Sequence, residues 1–163
     1  MNTSTPQTQY GAGLGAWLDQ QVHFYTRDLD ALSDEQIFNS VGGKARTPFD
    51  FTTEVAMMMD WTTTMLSSNE TPAFPDDATK KAIEEANKSK AALIELVKSS
   101  GAKLKEALAN VSQERLDTII DAPFGMTMPA AALANIFVNH LWYHDGQLNL
   151  IQAINGDAEM HWM

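Results

Sequence analysis

The chain has 163 residues, 44% of them hydrophobic, which suits one domain with a buried core and excludes a disordered chain. The formal net charge is -10 and no Lys/Arg cluster offsets it, so nucleic acid and anionic membranes are poor partners. Cysteine is absent, which excludes disulfides, thiol nucleophiles and iron–sulfur clusters and leaves His, Asp or Glu to hold any metal.

The opening "MNTSTPQTQYGAG" is polar and lacks the basic start and apolar run of a signal peptide, so a flexible segment over residues 1–9 and a cytoplasmic protein are expected. No stretch approaches the roughly 18 consecutive apolar residues of a membrane span. The first helix is expected from about Gly11 to Leu32, with Leu14, Leu18, Val22, Tyr25 and Leu29 on one stripe. Ser33 and Gln36 then form a capping-box pattern over "SDEQIF", and "VGGKAR" is a loop.

Thr47 and Pro48 open a second helix that runs to about Ser67, with Phe51, Val55, Met58 and Met65 facing inward. Met57 to Met59 fit the core or a pocket wall. After "SSNETPAFPDD", Asp76 and Asp77 suit the start of a third helix. Ala82, Ala86, Leu93, Val97, Leu104, Leu108 and Val111 keep one phase across Ser99 to Gly101, which predicts a single long helix. A fourth helix is expected from about Met128 to Ile154, closed by Asn155-Gly156 and burying Leu133, Ile136, Phe137, Leu148, Ile151 and Ile154. Strand signals are scarce and no internal repeat is visible. The fold class expected is all-α, an antiparallel four-helix bundle filling residues 1–163, with long loops after the first and second helices for a crossover.

The fourth helix carries the chemistry. Extending its apolar stripe lands on His140, Leu141, His144 and Gln147. Four residues advance a helix by about 6 Å and rotate it by roughly 40°, so the two imidazoles stand over one another and face inward. Such a pair can bind one metal ion; the plain alternative is a pair of hydrogen-bonded core histidines. On the second helix, Glu54 lies between Phe51 and Met58 on the core-facing stripe. A buried carboxylate needs a partner or a cation, and meeting His140 and His144 across the bundle would supply one. Two His and one carboxylate leave coordination positions open for water or substrate. Alternatively Glu54 lies solvated on the rim. Asp50 and Asp60 are expected to be exposed.

"HLWYHDGQLNLIQAINGD" resembles the C-terminal signature of the DinB/YfiT-like metal-binding bundles, with His-x-x-x-His, then Gly-Gln-Leu, then a final Gly. "DALSDEQIFNSVGGKARTPFDFTTEVA" and "DAPFGMTMPAAAL" are similar to that family's first interhelical segment with its second helix and to its lead-in to the last helix. The resemblance implies a four-helix bundle, frequently a homodimer, holding a divalent metal such as Ni, Zn or Fe through three histidines. His140 and His144 carry over directly. The first ligand carries over by position to Glu54, seven residues after Thr47, as a carboxylate in place of imidazole.

Lesser candidates surround this set. Gln147 could orient a histidine ring from a second shell or pack between helices through its amide. Asp145 is expected to face solvent, and Gly146 to permit close helix packing. Trp142 and Tyr143 read as interface or core aromatics, and His23 as a surface residue with a small claim to be a third ligand. His161 and Trp162 read as mobile or packed against a partner subunit. Two functions compete. One is a metal-dependent enzyme, of the thiol-dependent transferase or hydrolase type seen among such relatives, acting on a small molecule. The other is a non-catalytic, stress-associated bundle whose site is vestigial or metal-free.

Overall fold

The helices begin where a side-chain oxygen can take up an orphan backbone N–H. In the computed structural model, which describes residues 7–122 and 125–163, Thr8 caps α1 (Gln9–Ala31) and Ser33 caps α2 (Asp34–Phe38) in a reciprocal capping box with Gln36. Thr47 caps α3 (Pro48–Ser67), Asp76 caps α4 (Asp77–Ala86), Ser89 caps α5 (Lys90–Asn110) and Ser112 caps α6 (Gln113–Asp117). A two-stranded antiparallel hairpin follows, β1 (Ile119–Asp121) against β2 (Thr127–Pro129), with Ile120 opposite Met128. The last helix, α7 (Ala130–Ile154), has no side-chain cap. Its start is fixed instead by Ala130 N–H donating to the Thr118 carbonyl at 2.9 Å. The expected flexibility of residues 1–9 falls mostly outside the described residues, and Gln9 is already helical.

The four long helices form a bundle in which α1 packs against α5 and α7, and α3 against the same two. Helices α1 and α3 therefore face each other across the diagonal, where the buried Tyr25 hydroxyl meets Thr52 Oγ1 at 2.8 Å. Cross-helix contacts fix the directions. Tyr10 bonds to Ala131 and Trp17 to Asn139, so α1 and α7 run parallel. Lys90 bonds to the Asp30 and Leu32 carbonyls, so α5 runs against α1. The end of α3 lies beside the end of α5, where Arg115 bonds to the Met65 carbonyl, so those two run parallel. The order is up, down, down, up, with a parallel pair on each side instead of the expected fully antiparallel bundle. A parallel α3–α5 pair needs a connection back along the bundle, and α4 lies on that path against α3.

Several sequence expectations change. The third helix is two helices, broken at Asn87 to Ser89, although the second of them, α5, does pass whole through Ser99 to Gly101 as expected. The apolar phase from Ala82 and Ala86 to Leu93 and Val97 carries across the break. No residue of α4 is fully buried, and Ala82 and Ala86 are exposed. Gly101 sits inside α5 because a Cβ there would meet Val22 Cγ2 at 2.7 Å. Gly146, by contrast, is exposed with nothing within 4 Å, so it serves no close packing. Ile136 and Ile154, expected inside, are exposed. The β1–β2 hairpin replaces the first turn expected for the fourth helix.

The C-terminal residues pack on their own chain. Trp162 stacks on Phe24 with ring centroids 4.6 Å apart and donates its indole N–H to Asp28 Oδ2 at 2.6 Å. Arg27 donates to the His161 and Met163 carbonyls, and His161 Nε2 pairs with Asp157. His23 is exposed and lies 3.2 Å from the Trp162 carbonyl, on the far side of the bundle from Glu54. Among the described residues, no helix is long and apolar enough to cross a membrane.

Candidate metal centre

Helices α3 and α7 cross antiparallel, and this places two turns of α3 against the middle of α7. Phe51, on the first of those turns, stacks on the His144 ring with centroids 4.9 Å apart and planes 9° apart. Glu54, one turn later, aims its Oε1 at both histidines, 3.3 Å from His140 Nε2 and 3.8 Å from His144 Nε2. The two Nε2 atoms are 2.9 Å apart. His144 is buried, while His140 and Glu54 are half-buried at the wall of a cleft. Among the described residues, these three form the one group of His, Asp or Glu whose donor atoms converge, all within 4.8 Å of one another.

Two of the three members, His144 and Glu54, are each held by a further residue. The His144 Nδ1 lies 2.8 Å from Gln147 Oε1. In a metal-bound centre Nδ1 would donate its N–H to that amide oxygen and leave the Nε2 lone pair for the ion. His140 Nδ1 is buried with no hydrogen-bond partner among the described residues, so its tautomer is set by what Nε2 meets. Arg46, in the loop before α3, grips the outer oxygen of Glu54 through Nη2 and Asp50 through Nε. Lys80 of α4 takes the other Asp50 oxygen. Asp50 is thus half-buried in an ion-pair chain, and Asp60 pairs with Lys103; neither is a free surface acid as expected. Hydrogen bonds from His140 and His144, helped by the Arg46 guanidinium, hold the Glu54 carboxyl well below the usual carboxylate range despite its partial desolvation.

The donor set fits a metal. Ligand atoms about 2.1 Å from one ion, at angles between octahedral and tetrahedral, stand roughly 3.0 to 3.4 Å apart. The three separations here bracket that range. Two imidazoles and a carboxylate suit a borderline divalent ion, and three ligands leave positions open on the cleft side. Arg46 occupies the second oxygen of Glu54, so the carboxylate offers a single atom.

Sequence reasoning missed Arg46, whose loop gave no motif; its only signal is the spacing of four to Asp50 and eight to Glu54. It also misplaced Asp145, which is buried between α1 and α7 beside the buried Asp28. Among the described residues no N–H or hydroxyl reaches the Asp145 Oδ1, and burial, then the neighbouring Asp28 charge, push its carboxyl up to about 8. Asn149, Gln152 and Trp162 all donate to Asp28. Tyr143 and Trp142 are exposed, Tyr143 beside His140 at the cleft and Trp142 among Trp17, Phe24 and Trp162.

A sequence model described as the DinB superfamily matches residues 29–148. No curated protein matches the chain. Crystal structures of a mycothiol-dependent maleylpyruvate isomerase and of a point mutant of it share the fold, with TM-scores of 0.66 and 0.67 at 17% identity. The matches cover 85% of this chain and 60% of the isomerase chain, so the chain spans about three fifths of that chain's length.

Proposed function

The chain belongs to the DinB superfamily, and from that premise we propose that Glu54, His140 and His144 hold one divalent cation in an enzyme that transfers or isomerises a small molecule with the help of a thiol. The observation that carries this reading is the spacing of three donor atoms from two crossing helices around one point. A divalent ion there lowers the pKa of a thiol or water in its open positions, supplying a nucleophile at neutral pH. The protein's own residues do the rest. Gln147 fixes the His144 tautomer, Phe51 fixes that ring's plane, and Arg46 confines Glu54 to one donor oxygen. The thiol-dependent reaction class is proposed by likeness to the isomerase structures.

A metal-free reading is favoured by the ion pair between Arg46 and Glu54, which already neutralises the carboxylate, and by the hydrogen-bonding distances among His140, His144 and Glu54. Elemental analysis of the purified protein separates the two. The metal reading expects close to one divalent ion per chain, reduced at least tenfold in occupancy by His140→Ala. Metal content near zero after purification with added Ni, Zn or Fe salts rejects it.

A further inference from the structure

Glu54 and His140 are a shared wall, with one cavity on each face. The cavity toward the loop before α3, about 370 Å³, is bounded by Val41, Lys44, Arg46, Tyr143 and Leu150. The cavity toward α4, about 470 Å³, is bounded by Met57, Phe74, Ile136 and Phe137, with Asp76, Asp77 and Lys80 at its edge. Their charges differ in sign. On the first face Lys44 and Arg46 meet one lining carboxylate, Glu54; Arg46 is already paired with Glu54 and Asp50, which leaves Lys44 as the unpaired charge among the described residues. On the second, Lys80 is outnumbered by Glu54, Asp76 and Asp77, and Lys80 is itself paired with Asp50 and Glu84.

We infer that the centre serves two ligands at once from opposite faces: a carboxylate-bearing molecule on the Lys44–Arg46 side and an uncharged apolar molecule on the Phe74–Ile136 side. On a protein of net charge -10, the first cavity is a local reversal of the surface field, and an anion entering it keeps a cation within reach. Lys44 is exposed, and no carboxylate pairs with it among the described residues. In the second cavity an anion would face three carboxylates, while an apolar body would cover Phe74 and Ile136, both exposed large side chains. Each cavity exceeds the volume of a substituted benzene ring. Glu54 and His140 stand between the two ligands, so groups bound on either face reach the same reacting position. The inference rests on the metal-centre reading for its catalytic meaning, though the two binding preferences stand on the cavity walls alone.

The test uses benzoate and benzyl alcohol, which differ in charge and little in shape, with the intact chain and nuclear magnetic resonance titrations. Benzoate should shift signals of Lys44 and Tyr143, and benzyl alcohol those of Phe74 and Ile136. Lys44→Glu should weaken benzoate about fivefold and leave benzyl alcohol within twofold; Ile136→Glu should do the reverse. Both substitutions lie on exposed side chains, and the wild-type shift maps decide the question if either variant misfolds. Both probes mapping to one cavity, no binding of either, or equal loss in both variants overturns the inference. Metal analysis of the same sample separates the two ideas. A divided response in metal-free protein keeps the two-faced site and removes the metal centre; bound metal with an undivided response does the opposite.

Discussion

At Asp145 a side chain works against the fold. Its carboxyl titrates near pH 8 where the unfolded chain titrates at about 3.9, so between those values the folded state holds a proton the unfolded state has released. Stability therefore falls as pH rises through that window and levels off above it. Asp145→Asn removes the titration while keeping the shape, and should raise the unfolding free energy more at pH 8 than at pH 4, by on the order of 1–2 kcal/mol. Equal gains at both pH values would show that the proton is not what matters. Glu54 has the opposite sign: its depressed carboxyl stabilises the fold above the ordinary carboxylate range and gives that up as acid protonates it. The sequence made Glu54, His140 and His144 legible because each is polar on an otherwise apolar stripe. Asp145 was not legible, since its helix face is apolar on one side of it and polar on the other, and only the Asp28 of a distant helix reveals the burial. Arg46 was hidden for a related reason, in that a loop has no period against which a residue can stand out.

Two glycines in long helices show how packing decides what propensity alone predicts. Replacing either by Ala gains about 1 kcal/mol of helix propensity. At Gly146 the new methyl meets nothing, so Gly146→Ala should stabilise by roughly that amount, read from chemical denaturation, and should leave metal content unchanged. At Gly101 the methyl meets Val22 of α1, so Gly101→Ala should lose that gain and come out destabilising by about 1–2 kcal/mol. A stabilised Gly101→Ala would mean that α1 and α5 yield easily. The long helices and most of their inward stripes followed from periodicity. The break at Asn87 to Ser89 did not, because the apolar phase is preserved across it and only the Ser89 cap marks the restart. The hairpin was equally silent, with three residues per strand too few for an alternating pattern.

Across the whole molecule, Arg115 ties the end of α3 to the end of α5. The buried guanidinium donates to the Met65 carbonyl in the last turn of α3 and to the Asn69 and Glu70 carbonyls in the loop that follows it. Arg115→Ala should cost about 2–4 kcal/mol, and Arg115→Lys should restore only part, since an ammonium cannot span the same three carbonyls. A loss below 0.5 kcal/mol, on the order of a surface substitution, would contradict that. The all-α class was readable from the sequence, whereas the split of the third helix and the helix directions were not. Amphipathic stripes say which face is buried but not which neighbour buries it, and the parallel pairs depend on where α4 turns back. That topology also bears on synthesis. The partners of α1 are α5 and α7, while α3, the next long helix to leave the ribosome, sits diagonally opposite. A nascent chain halted at Ser67 therefore has two sticky stripes and no neighbour to cover either, a state suited to chaperones, and the isolated fragment should show little helical circular dichroism.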